Sequence, residues 1–429
     1  MSDRGAAGRG PGPGSGLEPG ATTADAGRPD PGLDQPAADA LPPAPHLLVT
    51  GGAGFIGSCF VREVLARGDG TRITVLDKLT YAGVRANLAP VEADPAQAAR
   101  FRFVRGDIAD PAVVDPLVEE ADAVVNFAAE SHVDRSILDP EAFLRTGVIG
   151  VHVLLEACRR EAERAAAGSR LGPRRRPRRA PRFLQVSTDE VYGSVPVGRS
   201  EEEDRLDPRS PYAAAKAAGE LLVRSYVVTY GLDALVTRGS NTYGPYQHPE
   251  KLIPLFITNA LDDQPLPLYG DGLQRRDWLY VTDHAGAIEH VLHYGASGET
   301  YNIPGGTELA NRELVATLLA RLGKPWSLVR RVEDRPGHDR RYAMDGTKLA
   351  RLGWRNRVPF EDGLSATVDW FRANEPWWRS IRTGDWDAWY ERQYGARLSH
   401  GLPAAEDEDG PGRGAMPGPA PDPGRDEGR

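Results

Sequence analysis

The sequence predicts an α/β fold in which a doubly wound parallel sheet is followed by a smaller, irregular α/β cap. Short apolar segments alternate with helical patterns between residues 46 and 237, as in parallel sheets covered by helices on both faces. A glycine-rich turn follows the first segment, and the alternation fades after Gly244 into Pro-punctuated segments. The predicted strands are 46–50, 72–76, 101–104, 123–127, 183–187 and 234–237.

Helical periodicity lies between and after these strands. Apolar spacing predicts helices over 59–67, 142–165 and 209–230 in the first part of the chain. Two further helices, 282–294 and 310–322, are predicted for the cap. No internal repeat interrupts this organisation.

Both ends of the 429-residue chain are rich in Gly and Pro. Residues 1–45 and 401–429 hold 31 of the 84 Gly and Pro, and 13 acidic against 6 basic residues. Such segments bury too little apolar surface to offset their ordering entropy, so we predict disordered tails. A first domain over 46–245 remains, followed by 246–400, which is mainly the cap with segments that can return to the first domain.

Composition excludes several classes of protein. No run of about 18 apolar residues is present, so we expect no membrane span. The N-terminus lacks the pattern of a secretory signal. Cys59 and Cys158 cannot build a disulfide framework and lack metal-ligand spacing. We therefore expect a cytoplasmic protein without a metal site.

One segment is unusually long and basic for a connection between a helix and a strand of an α/β fold. Residues 159–182 contain ten Arg and two Glu. One interpretation is an arm that binds nucleic acid, and the other is an exposed, Arg-biased insertion between a helix and the next strand. We favour the insertion because the segment lacks interleaved aromatic residues, and we expect no nucleic-acid partner.

The glycine-rich turn has the spacing of a dinucleotide-binding motif. Gly51, Gly54 and Gly57 follow a predicted strand and open a helix. Glycines allow the backbone to turn tightly and approach a pyrophosphate, which rests on the helix N-terminus. A Rossmann-type domain is therefore predicted.

Acidic residues at the next two strand ends refine this prediction. Asp77 lies twenty residues beyond Gly57, where a carboxylate accepts a hydrogen bond from a ribose 2′-hydroxyl. Because it would repel a 2′-phosphate, NAD is favoured over NADP. Asp107 and Ile108 follow the third strand and are expected to flank the adenine.

A second motif carries acid–base chemistry. Tyr212 and Lys216 stand four residues apart and so share one helix face. We expect the ammonium to lower the pKa of the phenol, which makes Tyr212 a suitable base for a hydroxyl proton as hydride leaves the same carbon. Thr188, at the end of the fifth strand, supplies the hydroxyl partner.

Together with further motifs, these residues resemble the nucleotide-sugar 4,6-dehydratases of the extended short-chain dehydrogenase/reductases. The resemblance covers residues 46 to about 395. It rests on GGAGFIGS (51–58), LDKLTYAG (76–83), AAESHVDRS (128–136), STDEVYG (187–193), GPYQ (244–247), KLIP (251–254), RDWLYV (276–281) and DRPGHD (334–339).

Two adjacent carboxyls decide between activities within this group. Asp189 and Glu190 directly follow Thr188, and their mutual repulsion raises one pKa. Elimination of water across C5–C6 of a sugar needs such an extra acid and base, whereas epimerisation needs only hydride transfer. The resemblance implies that Asp189 is the acid and Glu190 the base.

The resemblance also implies further binding residues. For the cofactor these are Phe55, Ile56, Lys78, Thr80, Ala128 and Ala129, beside the residues above. For the sugar nucleotide they are Ser131, His132, Thr188, Asn241, Lys251, Leu252, Pro267, Tyr269, Arg276, Asn311, Arg335 and His338. The two arginines suit a diphosphate and Tyr269 a pyrimidine. His132 could instead be a buried packing residue.

The implied function is dehydration of dTDP-glucose with bound NAD in a homodimer that pairs the 142–165 and 209–230 helices. A UDP-sugar 4,6-dehydratase remains an alternative, as does a related epimerase or decarboxylase, although Asp189 and Glu190 disfavour the last two. A catalytically inactive NAD-binding regulator is disfavoured by the intact Thr188, Tyr212 and Lys216.

Three positions depart from the pattern of the group. Gly147 stands where an Asn is usual, so the supporting backbone contact of that Asn is not predicted. Gly239 and Thr242 stand where Cys and a second Asn are usual. None of these departures removes a group with a predicted catalytic role.

Overall fold

The computed structural model describes residues 41–43, 45–168, 180–400 and 402–403. Within these residues the strands are β1 (His46–Thr50), β2 (Arg72–Asp77), β3 (Phe101–Arg105), β4 (Ala123–Asn126), β5 (Arg182–Thr188), β6 (Ala234–Gly239), β7 (Asn241–Tyr243), β8 (Leu266–Tyr269), β9 (Arg275–Tyr280), β10 (Thr300–Ile303), β11 (Glu308–Ala310), β12 (Val329–Val332) and β13 (Leu402–Pro403). The α-helices are α1 (Phe55–Ala66), α2 (Ala89–Ala93), α3 (Pro95–Ala98), α4 (Pro111–Glu120), α5 (Val133–Leu138), α6 (Pro140–Leu144), α7 (Val151–Gly168), α8 (Pro211–Tyr230), α9 (Leu252–Leu261), α10 (Val281–Tyr294), α11 (Asn311–Leu322), α12 (Thr347–Arg351), α13 (Phe360–Ala373), α14 (Glu375–Ile381), α15 (Asp385–Tyr390) and α16 (Ala396–His400). Short 3-10 helices cover Arg85–Leu88, Asp189–Tyr192 and Trp326–Leu328, and π-helical turns cover Arg145–Gly150 and Glu391–Gly395.

Seven of the described strands form one parallel sheet in the order β10-β6-β5-β4-β1-β2-β3. Its central strands are continuous apolar runs, and all five residues of β1 are buried, because helices cover both faces. The order changes direction between β1 and β4, so a crevice opens there at the carboxyl ends of the strands. All six predicted strands belong to this sheet, which confirms the predicted α/β class.

Two helical layers enclose the sheet. One apolar core packs α1 and α10 against one face, and the other packs α4, α7 and α8 against the opposite face. Ser210 caps the start of helix α8 through its Oγ, which accepts from Ala213 N at 3.1 Å, and Gly231 with φ +66° caps its end. These caps fix the first turn of α8 beside the end of β5.

A third core belongs to the cap, where the sheets β11-β9-β7 and β13-β12-β8 pack with α9, α11, α13 and α14. The chain beyond residue 245 is not confined to this region. Helix α10 packs against α1, and β10 pairs with β6 in the main sheet. Cap and sheet are therefore connected through the segment 281–303.

The predicted helix over 142–165 is not a continuous α-helix. It is interrupted by the π-helical turn Arg145–Gly150. A Cβ at Gly150 would lie 2.4 Å from Ile108 Cδ1, and one at Gly219 of α8 would lie 2.8 Å from Gly147 O. The turn therefore packs closely between α8 and Ile108, and no larger residue fits at Gly150 or Gly219.

Most of the two predicted tails and residues 169–179 of the Arg-rich segment lie outside the described residues. The described ends of that segment form ion pairs within the domain. Arg160 pairs with Asp115 at 2.5 Å, and Arg182 at the start of β5 pairs with Asp233 at 2.9 Å. These ends are therefore held by neighbouring carboxylates.

Candidate active site

The glycine-rich turn is shaped by close backbone approaches. Gly51 has φ +70°, and a Cβ there would lie 2.5 Å from Ala128 N. A Cβ at Gly57 would lie 2.4 Å from Gly51 O, whereas one at Gly54 would meet nothing nearer than 3.2 Å. Gly54 therefore leaves room in front of the α1 N-terminus, where backbone N–H groups favour an anion such as a pyrophosphate.

Asp77 holds this turn from the end of β2. Its Oδ2 accepts from Ala53 N at 2.9 Å and its Oδ1 from Leu79 N at 2.8 Å. Burial raises the pKa of Asp77, and these two hydrogen bonds oppose the rise. Each carboxylate oxygen still has a lone pair for a further donor, so the position fits a ribose hydroxyl.

One cleft at the carboxyl edge of the sheet, with a volume of about 310 Å³, connects these groups. Every residue predicted to bind the cofactor lines it: Gly51, Gly54, Phe55, Ile56, Gly57, Asp77, Lys78, Thr80, Asp107, Ile108, Ala128, Ala129, Tyr212 and Lys216. Lys78 Nζ forms an ion pair with Asp107 Oδ2 at 2.9 Å across the adenine end. The glycine-rich turn, the helix N-terminus and the buried acid fit a dinucleotide.

The predicted catalytic residues meet at the other end of the same cleft. Thr188 ends β5, and its Oγ1 donates to Asp189 Oδ1 at 3.0 Å while accepting from Glu190 N at 3.3 Å. Tyr212 and Lys216 reach the cleft from the first two turns of α8. The fold therefore brings all five predicted catalytic side chains together.

The two adjacent carboxyls have different surroundings. Burial and then the charge of Glu190 raise the pKa of Asp189 well above its ordinary value. Burial also raises the pKa of Glu190, but the cations Arg335, Lys251 and Arg276 oppose that rise. Asp189 is therefore the better proton donor and Glu190 the better acceptor.

The expected effect of Lys216 on Tyr212 is not what the structure gives. The pKa of Tyr212 is raised, first by burial and then by Glu190, with the Thr188 hydroxyl opposing. Lys216 Nζ donates to Val186 O at 2.9 Å, and burial lowers its own pKa to about 8. Desolvation in the cleft therefore raises the pKa of Tyr212 by more than a lysine four residues along the helix lowers it, and the predicted lowering was wrong.

A second cavity of about 150 Å³ adjoins the catalytic end. Glu190, Asn241, Lys251 and Leu252 line both spaces, so these four residues stand between the two. The predicted sugar-nucleotide residues that line the second cavity are His132, Asn241, Lys251, Leu252, Pro267, Tyr269, Arg276, Asn311, Arg335 and His338, while Ser131 and Thr188 line the cleft. All of these predicted residues therefore line one or both of two adjoining cavities.

Of the two predicted arginines Arg276 is buried and Arg335 half-buried, and both are held in place. Arg276 is 5% exposed, donates to Asp339 O at 3.0 Å and lies 4.3 Å from the centre of the Tyr342 ring. Arg335 Nη1 donates to Asp134 Oδ1 at 3.1 Å. Two cations beside Glu190 make this cavity suitable for a diphosphate.

Asp134 is an organising residue that was not predicted. Besides Arg335, its carboxylate accepts from Tyr269 Oη at 3.0 Å and from Gln393 Nε2 at 2.9 Å. Burial alone would raise its pKa, but His132, Arg335 and Tyr269 lower it. Asp134 lies within the quoted AAESHVDRS motif, whereas nothing local marks Gln393.

The position of His132 is compatible with both interpretations that the sequence left open. It lines the second cavity, and its ring also packs edge-on against Trp389 with centres 5.3 Å apart. Burial lowers its pKa to about 4, so the imidazole is neutral. Beside it, Lys251 Nζ donates to Ser131 O at 2.5 Å, which bridges cap and sheet at the junction of the two cavities.

The departures Gly239 and Thr242 meet at one residue. A Cβ at Gly239 would lie 2.3 Å from Cε1 of His284, which also lines the cleft. Thr242 Oγ1 is 2.7 Å from His284 Nδ1. The imidazole therefore fills the space that a larger side chain at 239 would need. At Gly147 a Cβ would lie 3.1 Å from Ala215 Cβ, so α8 occupies that space.

The described part of the chain contains neither a candidate side-chain cluster for a metal ion nor a candidate membrane span. No cluster of three or more His, Cys, Asp or Glu side chains there could hold a metal ion. No helix in that part of the chain is long and apolar enough to cross a bilayer.

Comparison with known proteins agrees with this geometry. A family model described as GDP-mannose 4,6 dehydratase matches residues 48–367. The dTDP-glucose 4,6-dehydratase of Streptomyces niveus is 53% identical over 346 residues, 79% of this chain and 96% of the relative. The crystal structure of DesIV, a dTDP-glucose 4,6-dehydratase from Streptomyces venezuelae with NAD and TYD bound, is 52% identical with a TM-score of 0.72, and covers 78% of this chain and 99% of its own.

The fold and the site define a Rossmann-type, NAD-dependent nucleotide-sugar enzyme of the extended short-chain dehydrogenase/reductase class. Within that class the carboxyl pair Asp189 and Glu190 is the feature that the sequence predicts for dehydratases rather than for enzymes that transfer only hydride. The chain belongs to the dTDP-glucose 4,6-dehydratase family.

Proposed function

We propose that the protein converts dTDP-glucose to dTDP-4-keto-6-deoxyglucose and is a hydro-lyase. The observation that carries the proposal is the placement of Asp189 and Glu190 at the cleft that holds Thr188, Tyr212 and Lys216. A carboxyl pair with unequal environments supplies the extra acid and base that elimination of water needs.

The first stage takes place at C4 of the sugar. Tyr212 takes the proton of O4, while Thr188 hydrogen-bonds the same oxygen and Lys216 lies one helical turn from Tyr212 in the same cleft. When bound, NAD accepts a hydride from C4 and later returns it to C6. The residues of the glycine-rich turn and Asp77 hold this cofactor in the cleft.

Elimination follows from the acidity of C5–H beside the 4-keto group. Glu190 takes the C5 proton as Asp189 gives a proton to the C6 hydroxyl, which leaves as water. Glu190 then returns its proton to C5 as C6 is reduced. The proton that Tyr212 took from O4 balances, through solvent, the one that Asp189 gave. The net change is the loss of one water.

The second cavity is proposed to hold the nucleotide part of the substrate. Arg276 and Arg335 would bind the diphosphate through charge-assisted hydrogen bonds, and Tyr269 would offer its face to the pyrimidine. Residues 46–245 are proposed as the cofactor domain and 246–400 mainly as the substrate domain, with 281–303 returning to the main sheet.

We also propose a homodimer formed through the faces of α7 and α8 and the turn before α7. Large apolar side chains are exposed there: Ile149 is 50%, Leu221 60% and Val228 76% exposed. A cytoplasmic location is proposed as well, supported by the free, buried Cys59 and Cys158, which are typical of a reducing compartment.

The test is incubation of the purified protein with dTDP-glucose and, separately, with UDP-glucose. Chromatography and mass spectrometry should reveal loss of one water and a 4-keto-6-deoxy sugar, with dTDP-glucose converted at the higher kcat/KM. An epimerised or unchanged sugar would remove the dehydratase assignment. Faster turnover of UDP-glucose would replace only the assigned nucleotide.

A further inference from the structure

The short helix α14 brings an indole ring to the wall of the cofactor cleft, and the proposed chemistry makes no use of it. Trp377 belongs to the cap, yet it lines the same cleft as Gly54 and Asp77. Its Nε1–H donates to Asn87 Oδ1 at 3.0 Å. The cap therefore reaches across the cleft to the sheet-bearing part of the protein.

Asn87 connects Trp377 with the glycine-rich turn. It is 1% exposed, and its Nδ2 donates to Ala53 O at 3.0 Å. The backbone carbonyl oxygen of Asn87 accepts from Arg62 Nη1 of α1 at 2.8 Å. Two successive hydrogen bonds thus connect Trp377 with the turn in front of which a pyrophosphate fits.

An aromatic contact reinforces the connection. The Tyr246 ring lies 4.2 Å from the Arg62 guanidinium and 4.5 Å and 5.8 Å from the rings of Trp370 and Trp377. Tyr246 has φ +68°, a region that residues with a Cβ rarely adopt. Such a backbone persists where its surroundings hold it, and here α1 and the cap do so together.

We propose that Trp377, held by Asn87, keeps the cap closed over the cofactor cleft and slows the release of NAD. The proposed reaction needs the same cofactor for hydride removal and hydride return, so escape between the two would leave the sugar oxidised. Trp377 acts on cofactor residence and is a positioning residue. The inference rests on NAD binding within the proposed function but not on the identity of the sugar.

Opening the cap must break the Trp377–Asn87 bond and separate the rings around Tyr246. Loss of this one bond should accelerate NAD release by up to about tenfold, which corresponds to about 1.4 kcal/mol and matches the upper net value of a single hydrogen bond. Trp377→Phe removes the N–H donor and retains an aromatic ring.

The experiment measures NAD release from the holoenzyme. Protein loaded with radiolabelled NAD is mixed with excess unlabelled NAD, and the label retained on filters is followed with time. The matched control is Trp354→Phe, because Trp354 is also half-buried and donates to an Asn, Asn356 Oδ1 at 3.4 Å, but lines neither cavity. We expect faster release from Trp377→Phe and a parental rate from Trp354→Phe.

A second variant keeps the proposal testable if Trp377→Phe folds poorly. Asn87→Ala removes the acceptor, together with the Nδ2 donor to Ala53 O, and should accelerate release at least to a similar extent. The double variant should be no faster than the faster single one. Parental release rates in both single variants, or equal acceleration by Trp354→Phe, would overturn the proposal. Failure to dehydrate dTDP-glucose would remove the proposed substrate but leave this result standing.

Discussion

The substitution Glu190→Gln separates hydride removal from elimination. Glutamine preserves the size of the side chain, and the backbone bond from Glu190 N to Thr188 Oγ1 at 3.3 Å does not involve the carboxylate. The variant loses the proton acceptor and the negative charge that faces Arg335, Lys251 and Arg276. The perturbation therefore removes the base of the C5 step, and loss of its charge also lowers the pKa of Asp189 and of Tyr212 relative to the parent.

The size of the effect follows from the role of a positioned base. Removing such a group lowers turnover by about 10²- to 10⁴-fold. This corresponds to about 3 to 5 kcal/mol in the activation free energy. The C4 step should persist because Thr188, Tyr212 and Lys216 are unchanged.

Three measurements check this expectation. Product formation from dTDP-glucose should fall by the stated factor, while a single turnover should still develop the 340 nm absorbance of reduced nicotinamide. Incorporation of solvent deuterium at C5 should fall in parallel with product formation. The control is Glu289→Gln, because Glu289 is also a buried carboxyl paired with an arginine, Arg67, but lines neither cavity. Turnover of Glu190→Gln close to that of the parent would refute the assignment of Glu190 as the base.

Two further predictions concern pH and assembly. The pKa of Asp189 and that of Glu190 are both raised, and activity needs Asp189 protonated and Glu190 ionised. The profile of kcat against pH should therefore be bell-shaped, falling in acid as Glu190 is protonated and in base as Asp189 ionises. In Glu190→Gln the charge that raises the pKa of Asp189 is absent, so the basic limb of the residual activity should shift to lower pH. An unchanged basic limb would contradict this. For assembly, Leu221→Glu should weaken the proposed homodimer by at least about a hundredfold, because an unpaired charge at an interface costs several kcal/mol. Light scattering checks this prediction, and a parent protein that is itself monomeric would contradict it.

Local spacing carried most of the catalytic prediction. Tyr212 and Lys216 share a helix face because a helix repeats every 3.6 residues, and Thr188 follows an apolar run that could only be a buried strand. Parallel strands place their carboxyl ends at one edge, so Gly51, Asp77 and Thr188 had to meet in one crevice. These relations need no knowledge of side-chain packing.

Contacts between distant parts of the chain could not be predicted in this way. Gln393 reaches Asp134 across 259 residues, and Trp377 reaches Asn87 across 290 residues. Neither pair lies on a shared helix or a paired strand, so no periodic pattern connects its members. The raised pKa of Tyr212 was missed for the same reason, because burial in the folded cleft outweighs its sequence neighbour Lys216.

The departures at 239 and 242 show why single positions were misleading. Thr242 Oγ1 donates its only proton to Ser240 O at 3.1 Å. The contact of 2.7 Å between Thr242 Oγ1 and His284 Nδ1 therefore requires the imidazole to donate from Nδ1. Burial lowers the pKa of His284 to about 3, which leaves a neutral ring with that tautomer. The ring lies where a Cβ at Gly239 would sit, so any larger residue there must displace it, at a cost of about 1–3 kcal/mol for overpacking. In the sequence the two positions are separate departures from the pattern of the group. In the fold Gly239, Thr242 and His284 are one packing unit, and a change at 239 alone would move an imidazole into the wall of the cofactor cleft.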